Sequence, residues 1–148
     1  MEVLEGQGWR LVVDPCRAPW PVLIGAEGWA VELSAGEARL LASGVQELAA
    51  QLEALADQLM AEESITLELE RPCGAGSLWL EIEGHRRAWA LRLVLAPGPE
   101  RRGIEGRWCP QGSAAIAAAL EQALQGLELQ APERSASQQG PVSSCRAL

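Results

Sequence analysis

Residues 78–95 read Leu78-Trp79-Leu80-Glu81-Ile82-Glu83-Gly84-His85-Arg86-Arg87-Ala88-Trp89-Ala90-Leu91-Arg92-Leu93-Val94-Leu95. Two runs of alternating character flank one break that begins at a glycine. A period of two is that of a strand with one face in the core. Leu78, Leu80 and Ile82 therefore point one way, and Trp79, Glu81 and Glu83 the other. After the break, Trp89, Leu91, Leu93 and Leu95 point inward, leaving Ala90, Arg92 and Val94 outward. Gly84-His85-Arg86-Arg87 is the tip of a hairpin. A sheet with one apolar and one polar face is antiparallel and carries helices on its apolar side.

The same pattern continues outward from this hairpin. Upstream, Ile65, Leu67 and Leu69 alternate with Thr66, Glu68 and Glu70, and Pro72-Cys73-Gly74-Ala75-Gly76 predicts the connecting turn. Downstream, residues 97–103 form a loop rich in Pro and Gly. Ile104 to Trp108 is a last short strand with Glu105 and Arg107 outward. Near the N-terminus, Trp9, Leu11 and Val13 share a face opposite Arg10 and Asp14. Pro15, Pro19 and Pro21 force a turn. Val22-Leu23-Ile24 makes a short strand ended by Gly25. Trp29, Val31 and Leu33 then alternate against Ala30 and Glu32.

Two helices punctuate the strands. Ser34-Ala35-Gly36-Glu37 has the spacing of a capping box. Leu41, Val45, Leu48, Leu52, Leu55 and Leu59 follow at steps of four and three, predicting one helix to about Glu63. Such a helix spans roughly 40 Å, against roughly 17–20 Å for a common strand. It is therefore expected to overhang the sheet, bend over it, or meet a second chain through the Leu41–Leu59 stripe. Pro110 or Ser113 opens the second helix, with Ile116, Leu120, Ala123, Leu124 and Leu127 inward. Beyond Glu128 the composition turns to Gln, Ser, Ala, Pro and Gly. The expected organisation is one α+β domain over residues 1–128 and a disordered tail over 129–148.

Composition narrows the function classes. The chain has 148 residues, 48% of them hydrophobic, and its six aromatics are all Trp. Its twelve basic residues are all Arg, and the net charge is −8. An acidic field repels polyanions, so nucleic-acid binding is disfavoured unless a local basic patch exists. Four cysteines at 16, 73, 109 and 145 have no C-x-x-C spacing and no zinc-site pattern. No apolar run reaches the ~20 residues of a membrane span. The expectation is a reducing cytoplasmic compartment with free thiols, and neither metal nor cofactor.

Several of these stretches together carry a resemblance. They are Gly8-Trp9-Arg10-Leu11, Asp14, residues 21–25, Trp29-Ala30-Val31-Glu32-Leu33, residues 78–84 and Glu105-Gly106-Arg107-Trp108. In order and spacing, over residues 6 to 127, the chain resembles a small uncharacterised family found mainly in cyanobacteria. The resemblance implies a grouping with the single-stranded-DNA-binding transcriptional regulator fold of the plant Whirly proteins. Those proteins pair repeated units of four strands and a helix. The Lys-containing strand motif by which they contact DNA has no counterpart here, because this chain has no Lys.

The candidate binding residues are Trp79, Arg92 and Arg107, which parity places on the outward face. A Trp flanked by Arg is the chemistry of a base-stacking platform. The same face gathers Asp14, Glu32, Glu68, Glu70, Glu81, Glu83 and Glu105 against Arg10, Arg92 and Arg107, seven acids and three bases, a net of −4. A protein contact suits an exposed Trp in that setting better than a phosphate backbone does. No catalytic residue is assigned. His85, the only histidine, sits at a hairpin tip, and Gly74-Ala75-Gly76-Ser77 joins two strands instead of entering a helix, as a phosphate loop must. The expectation is a non-enzymatic binding or regulatory domain that contacts a protein partner or self-associates. Single-stranded nucleic-acid binding, or an enzyme of unknown reaction using His85, is the alternative.

Overall fold

The structure, a computed structural model, describes residues 1–130. Strands β1 (Glu2–Gly6), β2 (Trp9–Val13), β3 (Val22–Ala26) and β4 (Trp29–Leu33) form one antiparallel sheet in that spatial order. Helix α1 (Ala35–Leu55) follows. Strands β5 (Ile65–Cys73), β6 (Gly76–His85), β7 (Ala88–Ala96) and β8 (Ile104–Trp108) form a second antiparallel sheet, and helix α2 (Pro110–Gln130) ends the described chain. The α+β class is as expected, but the strands divide into two sheets instead of one. The first sheet also holds β1, which alternation did not reveal: four of its five residues are exposed, and only Leu4 packs on the core. The tail expected from residue 129 lies, beyond Gln130, outside the described residues.

The decisive hairpin forms in the expected register. Leu78 pairs with Leu95, Leu80 with Leu93 and Ile82 with Leu91. Leu69 extends the Leu80–Leu93 row onto β5, and Trp108 extends the Ile82–Leu91 row onto β8. All of these inward side chains are buried. One outward residue departs from parity: Ala90 is buried too, its methyl being too short to rise above its neighbours on the sheet. In the first sheet, Leu4, Leu11, Ile24 and Val31 make one inward row, and Val13, Val22 and Leu33 another.

Helix α1 starts where the capping box predicts. The Glu37 carboxylate accepts the Ser34 N–H at 2.8 Å, and the Ser34 hydroxyl accepts the Glu37 N–H at 3.1 Å. Its end does not follow the prediction. The helix stops at Leu55, tightens into one 3-10 turn over Ala56–Gln58, and Leu59 is already extended. Leu41, Val45, Leu48 and Leu52 are buried on β5 and β6, whereas Leu55 and Leu59 are half-buried. Twenty-one residues give about 32 Å of helix; the ten residues of β6 give about 33 Å of strand. The helix is shorter, and the strands under it longer, than the lengths from which an overhang, a bend or a second chain was expected, so helix and strand match in length. Gly44 permits the close approach, since a Cβ there would fall 2.5 Å from Leu80 Cδ1.

Helix α2 lies on β2 and β7 and so touches both sheets. Its first turn is tied to the second sheet by Ser113, which is fully buried. The Ser113 hydroxyl accepts the Leu91 N–H at 3.0 Å and stands 2.9 Å from the Cys109 carbonyl, to which it can donate. The sheets themselves meet through two indoles. Trp108 is fully buried and donates its Nε1–H to the Gly25 carbonyl at 2.9 Å. Trp29 donates to the Arg107 carbonyl at 3.2 Å, and the two rings tilt at 60° with centroids 4.9 Å apart.

Candidate functional site

The outward face of the second sheet is built by the same register that buries its leucines. Glu68, Glu81, Arg92 and Arg107 form one row across β5, β6, β7 and β8. Glu70, Trp79, Val94 and Glu105 form the adjacent row. The structure thus brings the three predicted residues together: Arg92 faces Arg107 directly and Trp79 diagonally. Trp79 and Arg92 are half-buried and Arg107 is exposed.

Arg92 is the hub of this face. Its guanidinium lies 5.4 Å from the centroid of the Trp79 ring and donates to the Glu105 carboxylate at 2.6 Å. That hydrogen bond, with the charge of Glu105 and then of Glu81, raises its pKa above the ordinary arginine value. The cation is therefore firmly protonated, paired with a carboxylate and resting against the ring. Arg107 forms no ion pair among the described residues.

The charge balance of the face differs in detail from the expectation. Asp14, Glu32 and Arg10 belong to the first sheet and its turn, not to this face. Glu32 is ion-paired with Arg17, Arg10 lies 3.9 Å from Glu5, and Asp14 accepts the Cys16 N–H at 3.1 Å. What remains on the second sheet is Glu68, Glu70, Glu81, Glu83 and Glu105 against Arg92 and Arg107, five acids and two bases, a net of −3. A phosphate backbone meets net repulsion there.

His85 ends β6 opposite Ala88 and is half-buried, with no hydrogen bond to a carboxylate among the described residues. Among the described residues no group of three His, Cys, Asp or Glu could hold a metal ion. Cys73 and Cys109 are free thiols, the first buried and the second exposed. Cys16 is not one of the free thiols, which corrects the expectation for that position. Burial, followed by the charge of Glu37, raises the Cys73 pKa, and Arg101 partly offsets this. No helix among the described residues is long and apolar enough to cross a membrane.

A concave feature lies where the two sheets part. A cleft of about 800 Å³ runs between β4 and β8, with Trp20, Leu23, Val31 and Ile104 on its walls and Arg101 and Arg102 at its rim. The Arg101 guanidinium sits 5.7 Å from the Trp20 ring centroid.

Residues 4–123 match the family described as Domain of unknown function (DUF1818). The chain belongs to the DUF1818 family. A solved structure from Prochlorococcus sp. NATL2A, described as a protein of unknown function from the DUF155 family, is similar to this DUF1818 chain at 38% identity. The match covers 83% of this chain and 98% of that one, with a TM-score of 0.75. A search of curated proteins finds no match. In this DUF1818 domain the outer face was legible from alternation, but the cleft was not. Its signals, Trp20 and the Arg101-Arg102 pair, lie in two loops about 80 residues apart and obey no period.

Proposed function

We propose that this DUF1818 domain is a non-enzymatic cytoplasmic binding module whose acidic outer sheet face contacts a basic protein partner. The observation that carries this reading is Trp79. Its indole is half-exposed with Glu70 opposite it on β5 and Glu81 beside it on β6, and the arginine against it is already satisfied by Glu105. An amphipathic ring within a complementary field is a common anchor of protein interfaces. The test compares the parent with a Trp79→Ser, Glu81→Arg, Glu83→Arg variant in affinity purification from native lysate. The reading expects a stoichiometric basic partner with the parent and its loss with the variant. Equal recovery by both, or none by the parent, counts against it.

Binding of single-stranded nucleic acid is the second reading, favoured by the Trp79–Arg92 stack and by the Whirly grouping that the sequence resemblance implies. It requires a base to displace Arg92 from the ring against a net-negative face. Anisotropy of labelled oligothymidine at low salt decides it, since low salt favours electrostatic binding. A flat titration removes it. An enzyme using His85 is the weakest reading, as no hydrogen bond among the described residues orients that imidazole.

A further inference from the structure

A second hollow, of about 700 Å³, opens at the start of α1. Residues 34–40 of the cap and first turn, residues 72–75 at the turn between β5 and β6, and residues 97–101 in the loop after β7 supply its walls. It adjoins the cleft between the sheets, with which it shares Glu37 and Arg101. Glycine seats the turn on the loop. Gly74 has a φ of +57°, and a Cβ there would fall 3.1 Å from the Pro97 carbonyl oxygen; one on Gly76 would collide with the Ala96 carbonyl. The walls are therefore set by backbone packing before any ligand arrives. Leu40, Pro72, Pro97 and Pro99 make much of them apolar.

Two opposite charges line this hollow without pairing. Glu37 is only 7% exposed. Its Oε1 accepts the Ser34 N–H at 2.8 Å, and its Oε2 has no hydrogen bond among the described residues. Among those residues no fully buried side-chain oxygen lacks a partner. Oε2 therefore borders open space, and the space beside Glu37 is this hollow and the adjoining cleft. Arg101 forms no ion pair among the described residues, with Glu37 or with any other acid. Both charges nonetheless act on one group, the Cys73 thiol on the same wall. Beyond the rise that burial causes, Glu37 raises the Cys73 pKa and Arg101 lowers it. Glu100, the third charge, is exposed at the rim. A carboxylate oxygen and a guanidinium that share a hollow but not a bond leave room for a ligand carrying the complement of each.

We infer that this hollow binds a small zwitterion of the amino-acid class, a free amino acid or a dipeptide with apolar side chains. Its ammonium donates to Glu37 Oε2, its carboxylate accepts from Arg101, and its side chains pack on Leu40, Pro72, Pro97 and Pro99. The opposed charges also set selectivity, because a ligand with one charge alone leaves the other partner unmet. The hollow shares neither Trp79 nor any charged residue with the outer sheet face, so this inference and the basic-partner reading fail independently.

Calorimetric titration of the full chain with leucine and with leucyl-leucine tests it, since the charged ends of the two stand at different spacings. Saturable binding of at least one is expected. The affinity of that probe should fall about tenfold or more in Glu37→Gln and in Arg101→Gln, and comparably when its amine is acetylated or its carboxylate amidated. Gln at position 37 keeps an oxygen for the Ser34 N–H, so the cap survives. Where a thermal melt shows otherwise, Arg101→Gln, on an exposed loop, carries the comparison. Alkylation by N-ethylmaleimide, read by mass spectrometry of the cysteine peptides, locates the ligand: the bound probe slows Cys73 and leaves the exposed Cys109 unchanged. The inference is overturned if neither probe binds, if binding is indifferent to the substitutions or to a blocked end, or if Cys73 is alkylated equally fast with and without the probe.

Discussion

In the first sheet every strand has five residues; in the second, three of the four have nine or ten. Both halves follow the same plan of four antiparallel strands and then a helix, yet each helix goes where the apolar area is. The stripe of α1 leaves the short strands it follows and lies along β5 and β6. Helix α2 then returns to cover β2 while holding β7. A five-residue strand turns only two or three side chains inward, too little to bury the stripe of a six-turn helix. The two halves are thus unequal: the second supplies most of the surface, and the first is held by α2 and by the Trp29–Trp108 joint. The binding features divide in the same way. The long sheet offers a broad acidic face, and the short one contributes only one wall of the cleft.

The comparison breaks most directly at Trp108. Trp108→Ala removes the largest fully buried side chain and its hydrogen bond to Gly25, and should cost about 3–5 kcal/mol. Urea unfolding followed by both far-UV circular dichroism and Trp fluorescence measures it. If the first half depends on the second, both signals move together; two separated transitions would show that the short sheet holds without the joint.

A smaller loss is expected at the tie between α2 and β7. Ser113→Ala leaves the buried Leu91 N–H without its acceptor and should cost about 1–3 kcal/mol. The same urea titration reads it, and a loss below the scatter of replicate midpoints would mean that α2 is held by packing alone. At the start of α1, Ser34→Ala removes one half of the capping box and should cost about 1 kcal/mol, read as a lowered thermal midpoint. Smallest of all is Arg92→Met. Its pair with Glu105 lies on a solvated face, so the thermal midpoint should not move measurably. A clear drop would show that the outer face is structural and would weaken its reading as a contact surface.

Much of this could be read directly from residue order. Alternation between Leu78 and Leu95 set the inward and outward faces, and with them the shared location of Trp79, Arg92 and Arg107. The Ser34–Glu37 spacing located the start of α1 to the residue. The end of α1 was not legible, because Leu55 and Leu59 continue the apolar period although the chain leaves the helix after Leu55 and Leu59 packs on the core from an extended backbone. Strand β1 was hidden for the opposite reason: as an edge strand it has little to bury, so Glu2 and Glu5 obscure its alternation. The cleft left no periodic signal, since its walls come from both sheets and its rim from loops.

By itself the sequence determined local periods, caps and turns, and so each strand's parity and the side of the long sheet that faces water. Those are properties of neighbours along the chain, where a period of two or 3.6 translates directly into a face. The division into two sheets, the crossing of α1 onto β5 and β6, the pairing of Arg92 with Glu105 and the hollow between β4 and β8 were decided only by the tertiary structure. Each depends on how distant segments share buried area, and no local pattern encodes that sum.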